Sequence, residues 1–112
     1  MQTITDLNTL EMMKTEGAVA ILFGGARCAV CQSLRPQLAS KIDQHFPEMR
    51  CVYIDCEKAP DICAQHGVFS LPAVKVFIEG MLVTEDARVF SLGELMQRLE
   101  RPYAFWQDQA GR

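Results

Sequence analysis

The apolar positions along this chain fall into runs whose period changes from segment to segment, and each change marks an element. From Asp6 to Thr15, Leu7, Leu10 and Met13 recur at helical spacing, with Thr5 or Asp6 as N-cap and Gly17 as the stop. Ala18-Val19-Ala20-Ile21-Leu22-Phe23 is apolar without a break. Such a run predicts a strand buried on both faces, the habit of parallel sheets. Gly24-Gly25 ends it. From Ala29 to Phe46, Val30, Leu34, Leu38, Ile42 and Phe46 form one apolar helical stripe, and Pro36 inside it predicts a bend.

Shorter elements follow. Cys51-Val52-Tyr53-Ile54 reads as a strand ended by Asp55, and Pro60 to Gln65 as a brief helix stopped by Gly67. Val74 to Ile78 and Leu82 to Thr84 flank a turn at Glu79-Gly80, which predicts an antiparallel pair. Ser91-Leu92-Gly93-Glu94 is a capping box opening a helix with Leu92, Leu95, Met96 and Leu99 on one face, ended by Pro102. The order is βαβαβα followed by ββα. Repeated crossovers call for a parallel core, with the final hairpin as an antiparallel edge.

Composition narrows the class. At 112 residues, 49% hydrophobic and 22% charged, the chain reads as one globular α/β domain, with a core of about residues 2–101 and a tail of 102–112. A net charge of −3 and scattered basic residues argue against a nucleic-acid partner. No apolar run is long enough to span a membrane, and Met1 to Asp6 shows no basic-then-apolar leader. Five cysteines cannot all pair internally. The expected setting is therefore a reducing cytoplasm with free thiols.

In that setting Cys28-Ala29-Val30-Cys31 is the chemical signal. It falls after an apolar strand and at the mouth of a helix, where unpaired N–H groups and the positive dipole end stabilise a thiolate. Arg27 adds a fixed positive charge beside Cys28. Cys31 lies within one helical turn and can reach a sulfur held on Cys28. Zinc is the rival reading, because Cys63-Ala64-Gln65-His66 offers a second pair of ligands. The long gap between the halves weighs against it, as does a helix end expected to point away from Cys28. Two inert buried cysteines fit poorly with the open Gly24-Gly25-Ala26-Arg27 approach.

These residues resemble the thioredoxin family over about Gln2 to Arg101. The anchors are Cys28-Ala29-Val30-Cys31, Pro36, Tyr53-Ile54-Asp55 and Gly67-Val68-Phe69-Ser70-Leu71-Pro72, in order and at matching spacing. The resemblance implies a thioredoxin fold, a central mixed sheet of about five strands with helices on both faces. It implies Cys28 as attacking thiol, Cys31 as resolving thiol, and a cis Pro72 facing them while Leu71 docks a substrate strand. Read alone, Pro72 is a turn proline.

The departures are as informative. Arg27 stands where the family has tryptophan, Leu22 replaces its buried aspartate, and Cys51 replaces the partner lysine. Loss of both charges together avoids an unpaired buried ion. Arg88-Val89-Phe90 occupies the stretch where the family has glycine, and narrows the expected substrate groove.

The expected activity is protein dithiol–disulfide exchange through Cys28 and Cys31, in the reducing direction, since Ala29-Val30 lacks the histidine of oxidising relatives. The partners are a disulfide-containing protein and an external electron donor such as a reductase; no cofactor and no metal is expected. The alternative is a thioredoxin-like binding or adaptor module whose redox pair is idle or regulatory. Elsewhere, Cys51 reads as a small core residue, and a Cys56–Cys63 disulfide is considered and set aside. His45 and His66 sit near helix ends that favour an imidazolium. Tyr103-Ala104-Phe105-Trp106 either folds back on the domain or meets a partner.

Overall fold

A computed structural model describes residues 1–109. Its elements in chain order are β1 (Gln2–Thr3), α1 (Leu7–Thr15), β2 (Ala18–Gly24), α2 (Ala29–His45) and β3 (Arg50–Asp55), then α3 (Pro60–Gln65), β4 (Ala73–Ile78), β5 (Met81–Ala87) and α4 (Leu92–Gln109). The five strands form one sheet in the order β1-β3-β2-β4-β5. β2 is parallel to β3, and β3 to β1, while β2–β4 and β4–β5 are antiparallel. The antiparallel part is thus more than an edge: it begins at the central strand β2.

Alternation along β2 explains why its run has no polar residue. Ala18, Ala20 and Leu22 enter one core cluster with Leu38 and Ile42 of α2 and Leu95 and Leu99 of α4. Val19, Ile21 and Phe23 enter the other, with Leu10 of α1 and Ile62 of α3. Helices therefore cover both faces, and every residue of β2 is buried. The caps are as patterned: Asp6 accepts the Thr9 N–H at 2.9 Å, and Ser91 Oγ accepts the Glu94 N–H at 3.2 Å. The two Thr9 hydrogen bonds hold the Asp6 carboxyl below its ordinary value.

Neither interior proline ends its helix, which corrects the stop expected at Pro102. α2 is continuous across Pro36, and α4 does not stop at Pro102 but runs on to Gln109. An interior proline costs a helix about 3 kcal/mol. Beyond Pro102 that loss is offset by aromatic burial. Tyr103 packs on Phe46 with ring centroids 4.9 Å apart, and its hydroxyl accepts the Glu48 N–H at 3.0 Å. Trp106 is buried and donates its indole N–H to Glu79 at 3.0 Å. Each such burial contributes about 2 kcal/mol or more. The aromatic segment folds back, with Phe105 left exposed. Residues 110–112 of the expected tail lie outside the described residues.

The cysteines also correct the sequence reading. Cys28 is bonded to Cys31 and Cys56 to Cys63, which leaves Cys51 free. The Cys56–Cys63 bridge was not expected. The turn after β3 and the start of α3 fold back over one helical turn, bringing the two Cα atoms to 5.8 Å, inside the ordinary disulfide range.

Candidate active site

β2 and β3 run parallel, so their C-terminal ends open on the same side of the sheet. The chain after Gly24 meets the chain after Asp55 there: the Cys56 N–H donates to the Gly24 carbonyl at 2.8 Å. Cys28 is then the N-cap of α2, and its sulfur accepts the Cys31 N–H at 3.2 Å. Cys28 is half-buried, while Cys31 has no exposed surface. Their Cα atoms are 5.2 Å apart. One cysteine of the bond thus has some exposed surface and the other none.

Gly24 is the packing condition for this arrangement. A Cβ there would stand 3.0 Å from the Cys31 Cβ and 3.0 Å from Tyr53 Oη. Gly25 is less constrained, since a Cβ there would come within 2.8 Å only of a Glu57 carboxylate oxygen, the end of a flexible side chain that can move aside. That carboxylate accepts the Arg27 N–H at 3.1 Å and pairs with the Arg27 guanidinium at 3.5 Å. The Arg27 side chain is 93% exposed. Its charge is consequently shared with Glu57 and screened by water. Glu57 was missed in the sequence. The parallel register of β2 and β3 was the available signal, because it sets the residues just past Asp55 beside those just past Gly24.

The Leu71–Pro72 peptide is cis, as the resemblance implied. The Pro72 carbonyl accepts the Arg88 N–H at 2.7 Å, whereas Leu71 makes no backbone hydrogen bond among the described residues. Pro72, Val30, Leu34, Arg88, Val89 and Phe90 line a shallow groove of about 200 Å³. Arg88 takes a left-handed backbone, φ 69°, at a stretch where glycine would adopt it without cost. Val89 is almost fully exposed and Val30 largely so.

A family model for thioredoxin matches residues 2–101. The chain belongs to the thioredoxin family. Among curated relatives, it is 29% identical to the thioredoxin-like protein YdfQ of Bacillus subtilis (strain 168), over 73% of this chain and 72% of that one. It is 28% identical to a thioredoxin of Streptomyces clavuligerus, over 74% of this chain and 78% of that one. Mitochondrial thioredoxin 3 of Saccharomyces cerevisiae, in its oxidised form, superposes with a TM-score of 0.73 at 22% identity, covering 94% of each chain. A mutant thioredoxin of Halobacterium salinarum gives 0.78 at 19% identity, over 91% of this chain and 88% of that one. These structural likenesses show the thioredoxin fold. The family acts in general on disulfide substrates with reductase partners. Membership, fold and the bonded Cys-x-x-Cys pair together support a thiol–disulfide oxidoreductase. No helix among the described residues is long and apolar enough to cross a membrane.

Within this thioredoxin fold, the positions that depart from the family pattern are quiet. Leu22 is fully buried and lies in one core cluster, against which Cys51 packs partly buried. Burial pushes the Cys51 thiol up to about 11. The four zinc candidates, Cys28, Cys31, Cys63 and His66, are not brought together. The Cys63 sulfur is committed to Cys56, and His66 lies between the Ile62 carbonyl, 2.8 Å from Nδ1, and the Lys14 amine, 3.0 Å from Nε2. The imidazolium expected at His66 is not favoured, although the Ile62 carbonyl supports it. Burial, with the Lys14 charge, lowers its pKa from the ordinary 6.5, so the neutral ring is favoured despite the helix end.

Proposed function

We propose that this thioredoxin-family chain reduces protein disulfides, with Cys28 as the attacking thiol and Cys31 as the resolving one. The observation that carries the reading is the asymmetry of the pair: a half-buried N-cap Cys28 whose sulfur accepts a backbone N–H, bonded to a fully buried Cys31. When the pair is reduced, the helix terminus favours a Cys28 thiolate, and Arg27 adds a smaller, screened contribution. That thiolate attacks a client disulfide and forms a mixed disulfide. The Cys31 thiolate then displaces the client sulfur from Cys28, leaving the client reduced and the internal bond restored.

Client docking is assigned to Leu71 and Pro72. The amide and carbonyl of Leu71, which make no backbone hydrogen bond among the described residues, are suited to an added strand, and apolar Val30 and Val89 line a groove with the adjacent Pro72. An external reductase supplies electrons, no organic cofactor or metal takes part, and the compartment is a reducing cytoplasm. The free Cys51 thiol supports that compartment, while the Cys56–Cys63 bridge pulls the other way. Trapping thiols by alkylation in living cells decides, since the cytoplasmic reading expects that bridge to be largely reduced.

Insulin reduction with a thiol electron donor tests the activity against a Cys28→Ala control. Cys31→Ser is expected to accumulate clients on Cys28. A second reading, a binding or adaptor module with an idle pair, is favoured by Arg88, Val89 and Phe90 lining the groove where the family has glycine. Equal rates for the parent and Cys28→Ala would select it.

A further inference from the structure

The last step of the proposed reaction falls on a sulfur with no exposed surface. Cys31 must lose its proton before it can attack, and a thiolate in apolar surroundings is penalised by desolvation. Such an ion needs a proton donor aimed at it. Leu22 on β2 offers none. Its register partner on β3 is Tyr53, whose ring is 2% exposed.

Tyr53 and Cys31 border the same small space beside Gly24, without a hydrogen bond between them while Cys31 is bonded to Cys28. A single point, where a Gly24 Cβ would stand, is 3.0 Å from the Cys31 Cβ, from Tyr53 Cε1 and from Tyr53 Oη. The phenol is held there from two sides. The Arg35 guanidinium lies over its ring, 3.9 Å from the centroid. The Gln32 amide donates to its oxygen at 3.3 Å and to the Gly25 carbonyl at 3.0 Å. Gln32 occupies a lone pair of the phenol, not its proton. Among the described residues the Tyr53 O–H donates to no acceptor, so its hydrogen is uncommitted.

Resting on the oxidoreductase reading, we infer that the Tyr53 hydroxyl donates a hydrogen bond to the Cys31 sulfur once that sulfur is released, stabilising the resolving thiolate. The Cys31 proton goes to water. The thiolate attacks Cys28 Sγ, the Cys28–Cys31 bond forms, and the Cys28–client bond breaks. The client sulfur leaves as a thiolate and takes a proton from water. Cys28 and Cys31 are oxidised by two electrons overall and the client disulfide is reduced by two. Tyr53 keeps its proton throughout. Other ionisable groups at this end of the sheet are engaged elsewhere: Glu57 on Arg27, Asp55 on the Glu57 and Lys58 N–H groups, and Arg35 on the Tyr53 ring and Thr3.

The test is Tyr53→Phe in the full chain, which keeps the buried ring and its contact with Arg35. A chromogenic aryl disulfide releases one thiolate on capture by Cys28 and a second on resolution by Cys31, so the two steps separate in time. Capture is expected to stay within about twofold and resolution to slow about 10-fold, the size of one hydrogen bond to a charged group. The pH of half-maximal resolution is expected to rise by about one unit. Resolution at the parental rate across the pH range, or equal slowing of both steps, overturns the inference. A second measurement needs no client. In Cys28→Ser protein the Cys31 thiolate titrates by ultraviolet absorbance, and adding Tyr53→Phe is expected to move its midpoint upward. An unmoved midpoint overturns the inference by itself. Failure of the parent to capture any disulfide sinks the oxidoreductase reading, while this titration still decides the contact.

Discussion

The two disulfides of this chain are the same bond in opposite settings. Cys28–Cys31 closes the mouth of α2, with Cys28 half-buried and its sulfur accepting a backbone N–H. Cys56–Cys63 lies a few residues from the same sheet edge, yet it ties the turn after β3 to α3, and Cys63 is packed among Ile62 and Val68. Exchange needs a thiolate that is stabilised and an approach to its sulfur. The first bond has both. The second likewise joins a half-buried cysteine, Cys56, to a buried one, Cys63, but neither of its sulfurs accepts a backbone N–H among the described residues, and it reads as a staple. Sequence spacing separates them only partly: Cys28 and Cys31 are three residues apart, Cys56 and Cys63 seven. Their surroundings make the difference.

The largest effect that distinguishes the two bonds is on activity. Cys28→Ala is expected to bring insulin reduction to background, whereas the Cys56→Ser/Cys63→Ser double variant keeps at least half the parental rate. Equal loss in both would erase the distinction. The staple is expected to show in stability instead. Under oxidising conditions the double variant loses about 2.5 kcal/mol of unfolding free energy, the loop-closure entropy of so short a loop. Urea denaturation reads it, and an unchanged midpoint would mean that the bridge constrains nothing.

Gly24→Ala sharpens the packing on the catalytic side. At 3.0 Å from a methyl group, Cys31 and Tyr53 would have to give by a few tenths of an ångström, and overpacking of this kind costs about 1–3 kcal/mol. The same denaturation series measures it, and a neutral result would show that the pocket behind Cys31 yields.

The smallest effect is expected at His66, beside the stapled region. Its folded pKa is lowered, so the unfolded chain binds the proton more readily. Its contribution to stability is whole above the ordinary pKa of 6.5 and is lost as pH falls through the lower folded value. Thermal midpoints should therefore decline between about pH 7 and pH 5, and His66→Gln should flatten that limb. An unaltered slope would remove His66 from the account.

Much of this was legible in the order of residues. The unbroken run of β2, the stripe of α2, the capping box at Ser91 and the Glu79-Gly80 hairpin are local signals, and each element formed where its pattern lay. Cys28-Ala29-Val30-Cys31 was readable for the same reason, since a strand followed by a helix puts the first cysteine at a helix mouth. The Cys56–Cys63 bridge was weighed and set aside because a seven-residue separation does not reveal which way a turn folds back. The continuation of α4 past Pro102 was hidden for a related reason. A proline's penalty is local, while the burial that offsets it comes from Phe46, Glu48 and Glu79, far away in the chain.

Sequence alone was enough for what one element dictates: which faces are apolar, where helices begin, and where a reactive sulfur meets a helix terminus. Only the tertiary structure decided what crosses between elements. The parallel pairing of β2 with β3 brought Glu57 to Arg27 and Tyr53 to the Gly24 gap behind Cys31. Backbone periodicity is written residue by residue, but side chains that meet across a crossover are joined by sheet register and packing, which no short window of the chain contains.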